Sequence, residues 1–303
     1  MHVLIDQYIP FLNGVLDPYA TVEFIAPEEF TPARVQDADA LIVRTRTRIN
    51  KDLLAGSRVQ FVATATIGYD HIDTSLDIPY WTACPGCNAQ AVCDYIQEAL
   101  LAVQLPYKSI GIVGYGHVGS RVAAMAKQLG MDVLINDPPK GLGVSLDEIA
   151  DQCDIITFHT PLDETTYHLC DAAFLSKCRP HALIINAARG GIVDEQALFE
   201  SHHPCIIDCW ENEPAIHHAL CQSPQTLLAS YHIAGYSVEG KRNASQMCLD
   251  ALCRFFNLPL LSVNTDQMPP AGDSQPGWLT RVSNQLKAHP ENFETLRKQY
   301  PLR

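Results

Sequence analysis

An arginine, a glutamate and a histidine each sit just past a short apolar run in the second half of the chain. Arg189 follows ALIIN in NAARGGIVDE, Glu213 follows CIIDC in DCWENEP, and His232 follows TLLASY in YHIAGY. Short apolar runs bounded by turn signals suit buried parallel strands, and ligands gather at the carboxyl ends of such strands. Brought into one crevice, the three side chains could oxidise a 2-hydroxy acid. The planar guanidinium of Arg189 could clamp a carboxylate through two parallel hydrogen bonds. His232, with an ordinary pKa of about 6.5, could take the hydroxyl proton, while Glu213 fixes the imidazole and favours the imidazolium. Taken singly, each also reads as a surface or structural residue, and spacing alone leaves both readings open.

Such an oxidation needs a hydride acceptor, and residues 110–137, IGIVGYGHVGSRVAAMAKQLGMDVLIND, have the layout of a dinucleotide-binding βαβ unit. Gly114, Gly116 and Gly119 fill G-x-G-x-x-G. The first serves the tight turn, the second the approach of the pyrophosphate, and the third close helix–strand packing. His117 and Val118 lie inside this turn and are counted with the cofactor-binding set, the His117 side chain pointing away from the phosphates. A helix over 120–129 would offer free N–H groups to the phosphates. Asp137 closes the next strand 18 residues after the last glycine. There a carboxylate can accept hydrogen bonds from ribose hydroxyls and repel a 2′-phosphate, which predicts NAD over NADP.

The elements around these residues alternate. Strand signals at 3–6, 20–24, 40–43 and 61–65, with helical connections between, predict a first parallel α/β sheet, and a long helix over 89–104 leads into the glycine turn. Strands at 155–159, 182–186, 205–209 and 226–229 and a helix at 237–257 continue the second sheet. A Pro/Gly/Ser-rich linker over 268–277 and a helix-like run at 290–300 follow. The expectation is an α/β chain of two Rossmann-like domains, a doubly wound NAD-binding sheet and a smaller flavodoxin-like substrate domain. Residues 1–89 form the substrate domain, 90–263 the NAD-binding domain, and 264–303 a short tail returning to or near the substrate domain.

A length of 303 residues suits two domains, and a formal charge of −13 without a basic stripe argues against nucleic acid as partner. No apolar run approaches the roughly 18 residues a membrane span requires, and the N-terminus lacks a signal-peptide pattern. Eleven cysteines scattered through apparent core segments then read as reduced, buried thiols of a cytoplasmic protein.

The segments GYGHVGSRV, HTPL, INAARGGIVDE, DCWENEP and HIAGY resemble, in order and spacing, those of the D-isomer-specific 2-hydroxyacid dehydrogenases. The resemblance runs through about residues 60–260. It implies Arg189, Glu213 and His232 as the catalytic set and cofactor contacts at Thr160, Ala187, Ala188, Asp208 and Gly235. ATATIGYDHID, ACPGCNAQAV, INDPPK and HIAGYSVEGK are similar to the branch acting on 4-phosphoerythronate in vitamin B6 synthesis. In that branch Thr45, Thr66 and Tyr236 match substrate-contacting positions, and HPENFETLRKQY resembles part of a C-terminal dimerisation region that is longer in most members. A small anionic, phosphorylated 2-hydroxy acid is therefore the expected partner, with a homodimer left open. Another D-2-hydroxyacid dehydrogenase, of the phosphoglycerate or glyoxylate/hydroxypyruvate type, and an NAD(H)-sensing binding protein are the alternatives.

A phosphorylated substrate calls for extra positive charge. Arg44, Arg46 and Arg48 recur at period two after ALIV, so an extended backbone would put them on one face, either as a phosphate site or as a solvated basic edge. Lys241 and Arg242 form a second candidate. Cys84-Pro-Gly-Cys87 lacks the second ligand pair a structural zinc needs, and no metal is expected. The pairs His202-His203 and His217-His218 read as solvated loops.

Overall fold

The apolar runs Ala40–Val43, Phe61–Thr64, Ile155–Phe158 and Leu183–Asn186 form strands buried along their whole length, as parallel strands covered on both faces must be. They belong to two sheets in the computed structural model, which describes residues 1–266, 272 and 275–303. Contacts divide the chain into two units. Unit one holds Met1–Asn88 and the chain from Tyr236 to 266, and unit two holds Ala89–Gly235 and 275–301.

Unit one begins with β1 (His2–Asp6), β2 (Thr21–Ile25), α1 (Pro32–Val35), β3 (Ala40–Val43), α2 (Lys51–Leu54), β4 (Phe61–Thr64) and β5 (Tyr80–Thr82). Its sheet is parallel throughout in the order β2-β1-β3-β4-β5, the flavodoxin-like order. Unit two follows with α3 (Ala89–Val103), β6 (Ser109–Val113), α4 (His117–Gln128), β7 (Asp132–Asp137), β8 (Leu142–Gly143), α5 (Leu146–Gln152) and β9 (Ile155–Phe158). It continues through α6 (Ala172–Leu175), β10 (Leu183–Asn186), α7 (Glu195–Ser201), β11 (Cys205–Ile207), α8 (His218–Gln222) and β12 (Thr226–Ala229). The strand order β12-β11-β10-β9-β6-β7-β8 reverses direction between β6 and β9, the doubly wound topology whose switch point is a ligand crevice. Among the described residues, only the edge pair β7–β8 is antiparallel.

Two expected domain assignments are corrected. The helix after Tyr236, α9 (Val238–Phe255), belongs to unit one, not to the NAD-binding unit. Its Ala244, Cys248, Leu249 and Leu252 share one apolar cluster with Val3, Ile5, Phe61 and Ala63. The tail helices, α10 (Trp278–Ala288) and α11 (Phe293–Gln299), belong to unit two rather than returning to the substrate domain. Trp278, Leu279, Val282 and Leu286 are buried, and Ser283 Oγ accepts from the Ala229 N–H of β12 at 3.0 Å. The linker expected over 268–277 lies for the most part outside the described residues. Among the described residues, no helix is long and apolar enough to cross a membrane.

Candidate active site

The glycine turn is built as its spacing implies. Gly114 has φ +92°, and a Cβ there would meet the His159 carbonyl oxygen at 2.7 Å, because β6 and β9 end side by side at the switch point. A Cβ on Gly119 would lie 2.0 Å from the Gly114 carbonyl oxygen, so only glycine lets α4 start so close to β6. Gly116 has nothing within 4 Å of a Cβ position. That open space faces the first turn of α4, formed by His117, Val118 and Gly119, whose N–H groups lack intrahelical partners. His117 is exposed and Val118 half-buried. Across the switch point the Thr160 hydroxyl oxygen is buried with no hydrogen-bond partner. An open cradle, free N–H groups and an orphaned hydroxyl fit a dinucleotide pyrophosphate and ribose. Asp137 ends β7 buried, its Oδ2 accepting from the Tyr115 N–H at 2.8 Å and lying 3.6 Å from Lys140 Nζ.

Three loops carry Arg189, Glu213 and His232, and two buried residues tie them together. Asn186, 2% exposed at the end of β10, donates from Nδ2 to the carbonyls of Arg189 (2.7 Å) and Cys209 (3.2 Å). Its Oδ1 accepts from the Ala188 N–H at 3.2 Å, leaving Ala187 buried beside it. Gly190 lets this loop lie on the next, since a Cβ there would stand 2.1 Å from the Trp210 carbonyl oxygen. Arg189 is half-buried, and its guanidinium donates to the Ala188 carbonyl at 2.7 Å. Asp208, 1% exposed, accepts from Ser230 Oγ (2.6 Å) and from the N–H groups of Ile233 (2.8 Å) and Ala234 (3.0 Å), next to Gly235. Its own carbonyl accepts from the His232 N–H at 2.9 Å. These bonds hold His232 at φ +59°, a conformation an L-residue adopts at a cost of about 1–3 kcal/mol.

The imidazole of His232 meets Glu213 through Nδ1, 2.8 Å from Oε2 and 3.1 Å from Oε1. Glu213 Oε1 also accepts from the Trp210 N–H at 2.9 Å. Burial drives the Glu213 carboxyl upward, but the His232 bond, the Trp210 N–H and Arg297 outweigh it and hold the carboxyl below its ordinary range. With Nδ1 turned to Glu213, Nε2 is the nitrogen left for a substrate proton. Cys209 brings its sulfur within 4.8 Å of the Glu213 and His232 ligand atoms. Burial, then Asp208 and Glu213, push its thiol well up. A protonated thiol beside Arg297 is a poor cation site, since metals are held by thiolate.

In unit one the arginine cluster differs from expectation. The Thr47 N–H donates to the Arg44 carbonyl at 3.0 Å, so residues 44–47 turn and the three arginines do not line one extended face. Arg44 grips the fully buried Asp6 carboxylate with two bonds, 2.9 and 3.1 Å, and lies 5.0 Å over the Tyr8 ring. Thr45 and Arg46 are exposed at the turn, and Arg48 is among the charges acting on Asp73. Thr66 donates to the Gly68 carbonyl at 2.8 Å and shares a 2.7 Å bond with Thr64. Lys241 Nζ lies 5.3 Å over the Tyr236 ring. Cys84 and Cys87 are buried free thiols. The histidine pairs are not both solvated loops. His203 is 7% exposed between Ser201 and the Arg179 carbonyl, and His217 caps α8 by accepting the Leu220 N–H at 3.0 Å.

The profile of the D-isomer specific 2-hydroxyacid dehydrogenase NAD-binding domain matches residues 88–234. An erythronate-4-phosphate dehydrogenase of Bacteroides fragilis is 42% identical over 341 aligned positions, covering 100% of this chain and 97% of its own length. The chain belongs to the D-isomer-specific 2-hydroxyacid dehydrogenases. An erythronate-4-phosphate dehydrogenase of Pseudomonas syringae is 36% identical over 96% of this chain and 80% of its own. In fold the chain is similar to a cofactor-bound 3-phosphoglycerate dehydrogenase of Entamoeba histolytica, at 24% identity and a TM-score of 0.72, covering 85% of this chain and 95% of the other.

As a 2-hydroxyacid dehydrogenase the chain is an oxidoreductase that uses NAD. Asn186, Gly190, the loop-holding side of Asp208 and Arg297 were not legible as site residues. A polar residue ending a buried strand, as Asn186 ends LIIN, was the available signal for the first. Arg297 reaches this dehydrogenase's Glu213 from a tail whose sequence signalled a helix and a resemblance to a dimerisation region, but no part in this site.

Proposed function

We propose that this chain oxidises 4-phospho-D-erythronate at C2 to the 2-oxo acid, with NAD, in vitamin B6 synthesis in the cytoplasm. The observation carrying the chemistry is the His232–Glu213 pair, bound at 2.8 Å on a loop locked by Asp208. Arg189 holds the substrate carboxylate. His232 takes the C2 hydroxyl proton on Nε2, and Glu213 keeps the ring oriented and stabilises its protonated form. The Gly114–Gly119 turn and Thr160 would hold NAD, which would supply the hydride acceptor for C2. Thr45, Arg46, Thr66 and Tyr236 are assigned to the rest of the substrate, with Arg46 on its phosphate. Arg44 is then the brace of that turn, because Asp6 holds its guanidinium. Identity above 40% over the whole chain to the Bacteroides erythronate-4-phosphate dehydrogenases supports this substrate over other 2-hydroxy acids. A homodimer is part of the same proposal, checked by sedimentation.

The test offers purified protein and NAD a panel of 4-phospho-D-erythronate, 3-phospho-D-glycerate and D-lactate, with a 2-oxo acid present to reoxidise retained NADH. Turnover greatest on the first is expected. Turnover confined to D-lactate would overturn the substrate, and none on any member would point to an NAD(H)-sensing role.

A further inference from the structure

We propose that Arg297, on the C-terminal helix α11, is a positioning residue of the acid–base pair that keeps His232 in its proton-accepting form. The proposal rests on the reading of His232 as the base. The Arg297 guanidinium lies 3.6 Å from Glu213 Oε2, the same oxygen that His232 Nδ1 meets at 2.8 Å. Two cationic groups therefore share one carboxylate oxygen when the imidazole is protonated. A carboxylate alone would draw a proton onto His232, and a second cation on that oxygen offsets part of the attraction. The imidazole is then neutral at a lower pH than the Glu213–His232 pair alone would allow.

The tail is fastened on both sides of His232, so the guanidinium is not a loose surface charge. Phe293, which starts α11, is fully buried. The Tyr300 ring meets Tyr231, the residue before His232, edge-on at 5.7 Å. Arg303 donates to the Ala234 carbonyl at 2.6 Å and lies 4.4 Å over the Trp278 ring. The other charged or titratable groups near His232 do not replace Arg297. The Asp208 carboxylate is turned to the Ile233 and Ala234 N–H groups, and the Cys209 thiol stays protonated. Glu195 accepts from the Glu211 N–H and is held protonated to about pH 8, and Glu211 Oε1 meets His168 and Tyr167, so neither supplies a cation to Glu213. Arg189, from the loop after β10, is assigned to the substrate carboxylate.

Arg297→Met, Arg297→Lys and Glu213→Gln separate charge from packing. The His232 ring titration, followed by NMR in the protein without substrate, reads the effect independently of turnover, with thermal unfolding reporting the fold. Arg297→Met should raise the His232 midpoint by about half to one pH unit and carry the acid limb of kcat/KM upward with it. Arg297→Lys should restore both, and Glu213→Gln should lower the midpoint. A midpoint unmoved by Arg297→Met while Glu213→Gln shifts it would overturn the proposal and leave Arg297 a tail anchor. Full activity in His232→Asn would instead overturn the reading of His232 as base, whatever Arg297 does to the titration.

Discussion

The loops of unit two and the arginine turn of unit one hold their polar side chains in opposite ways. In unit two, Asn186 and Asp208 are almost fully buried, and their side chains make six hydrogen bonds of 3.2 Å or less to the loops after β10, β11 and β12. The backbone under Arg189, Glu213 and His232 has little room to move. In unit one, a backbone bond closes the 44–47 turn, and Arg44 is braced by the buried Asp6 carboxylate. Thr45 and Arg46 stand exposed. Proton transfer needs a donor and acceptor held to tenths of an ångström, whereas recognition of a phosphate depends on charge and tolerates motion. The locked loops suit the proposed proton transfer, and the exposed turn suits the proposed recognition of the phosphate.

The largest effect that could break this contrast lies in the locked loops. His232→Asn should lower kcat by about 10²–10⁴-fold, measured as NADH formation at saturating substrate. A loss under tenfold would remove His232 from the chemistry. Asp208→Ala should destabilise unit two by about 3–5 kcal/mol in urea unfolding, because it strips the partner from three buried donors. Little change would mean the loop holds its shape without Asp208.

A smaller, pH-dependent effect sharpens the same point. Glu195, at the start of α7, is 4% exposed, and burial, then Glu211, Glu213 and Asp194, raise its carboxyl to about 8. An unfolded chain ionises this carboxyl from about pH 4.5, while the folded one keeps its proton until about pH 8. Stability should therefore fall as pH rises through that window. Glu195→Gln should flatten the dependence, gaining about 2 kcal/mol over wild type at pH 8 and nothing at pH 5 in urea midpoints. An equal change at both pH values would contradict it. The smallest effect belongs to the open turn. Arg46→Gln should raise KM for the phosphorylated substrate about tenfold and spare kcat. A fall in kcat with KM unchanged would place Arg46 in the chemistry.

What could be read beforehand follows from how locally each feature is encoded. The glycine turn was legible because its three glycines answer to contacts within one βαβ unit, such as the Gly119 approach to the Gly114 carbonyl. The buried strands were legible as apolar runs. β5 was not, because Tyr80–Thr82 is a partly exposed edge strand with no such run. The arginine cluster was misread because period two in sequence marks one face only in an extended chain, and the Thr47–Arg44 bond turns it. α9 and the tail helices were assigned to the wrong units because nothing in an amphipathic helix says which sheet its apolar face will cover. Arg297 was invisible for that reason.

The most direct measurement is NADH formation with 4-phospho-D-erythronate against D-erythronate, the same carbon skeleton without the phosphate. The phosphorylated acid should be turned over with kcat/KM about tenfold to a hundredfold higher, the scale of one or two charge-assisted hydrogen bonds. Equal kcat/KM for the two acids, or turnover of neither, would contradict the assignment.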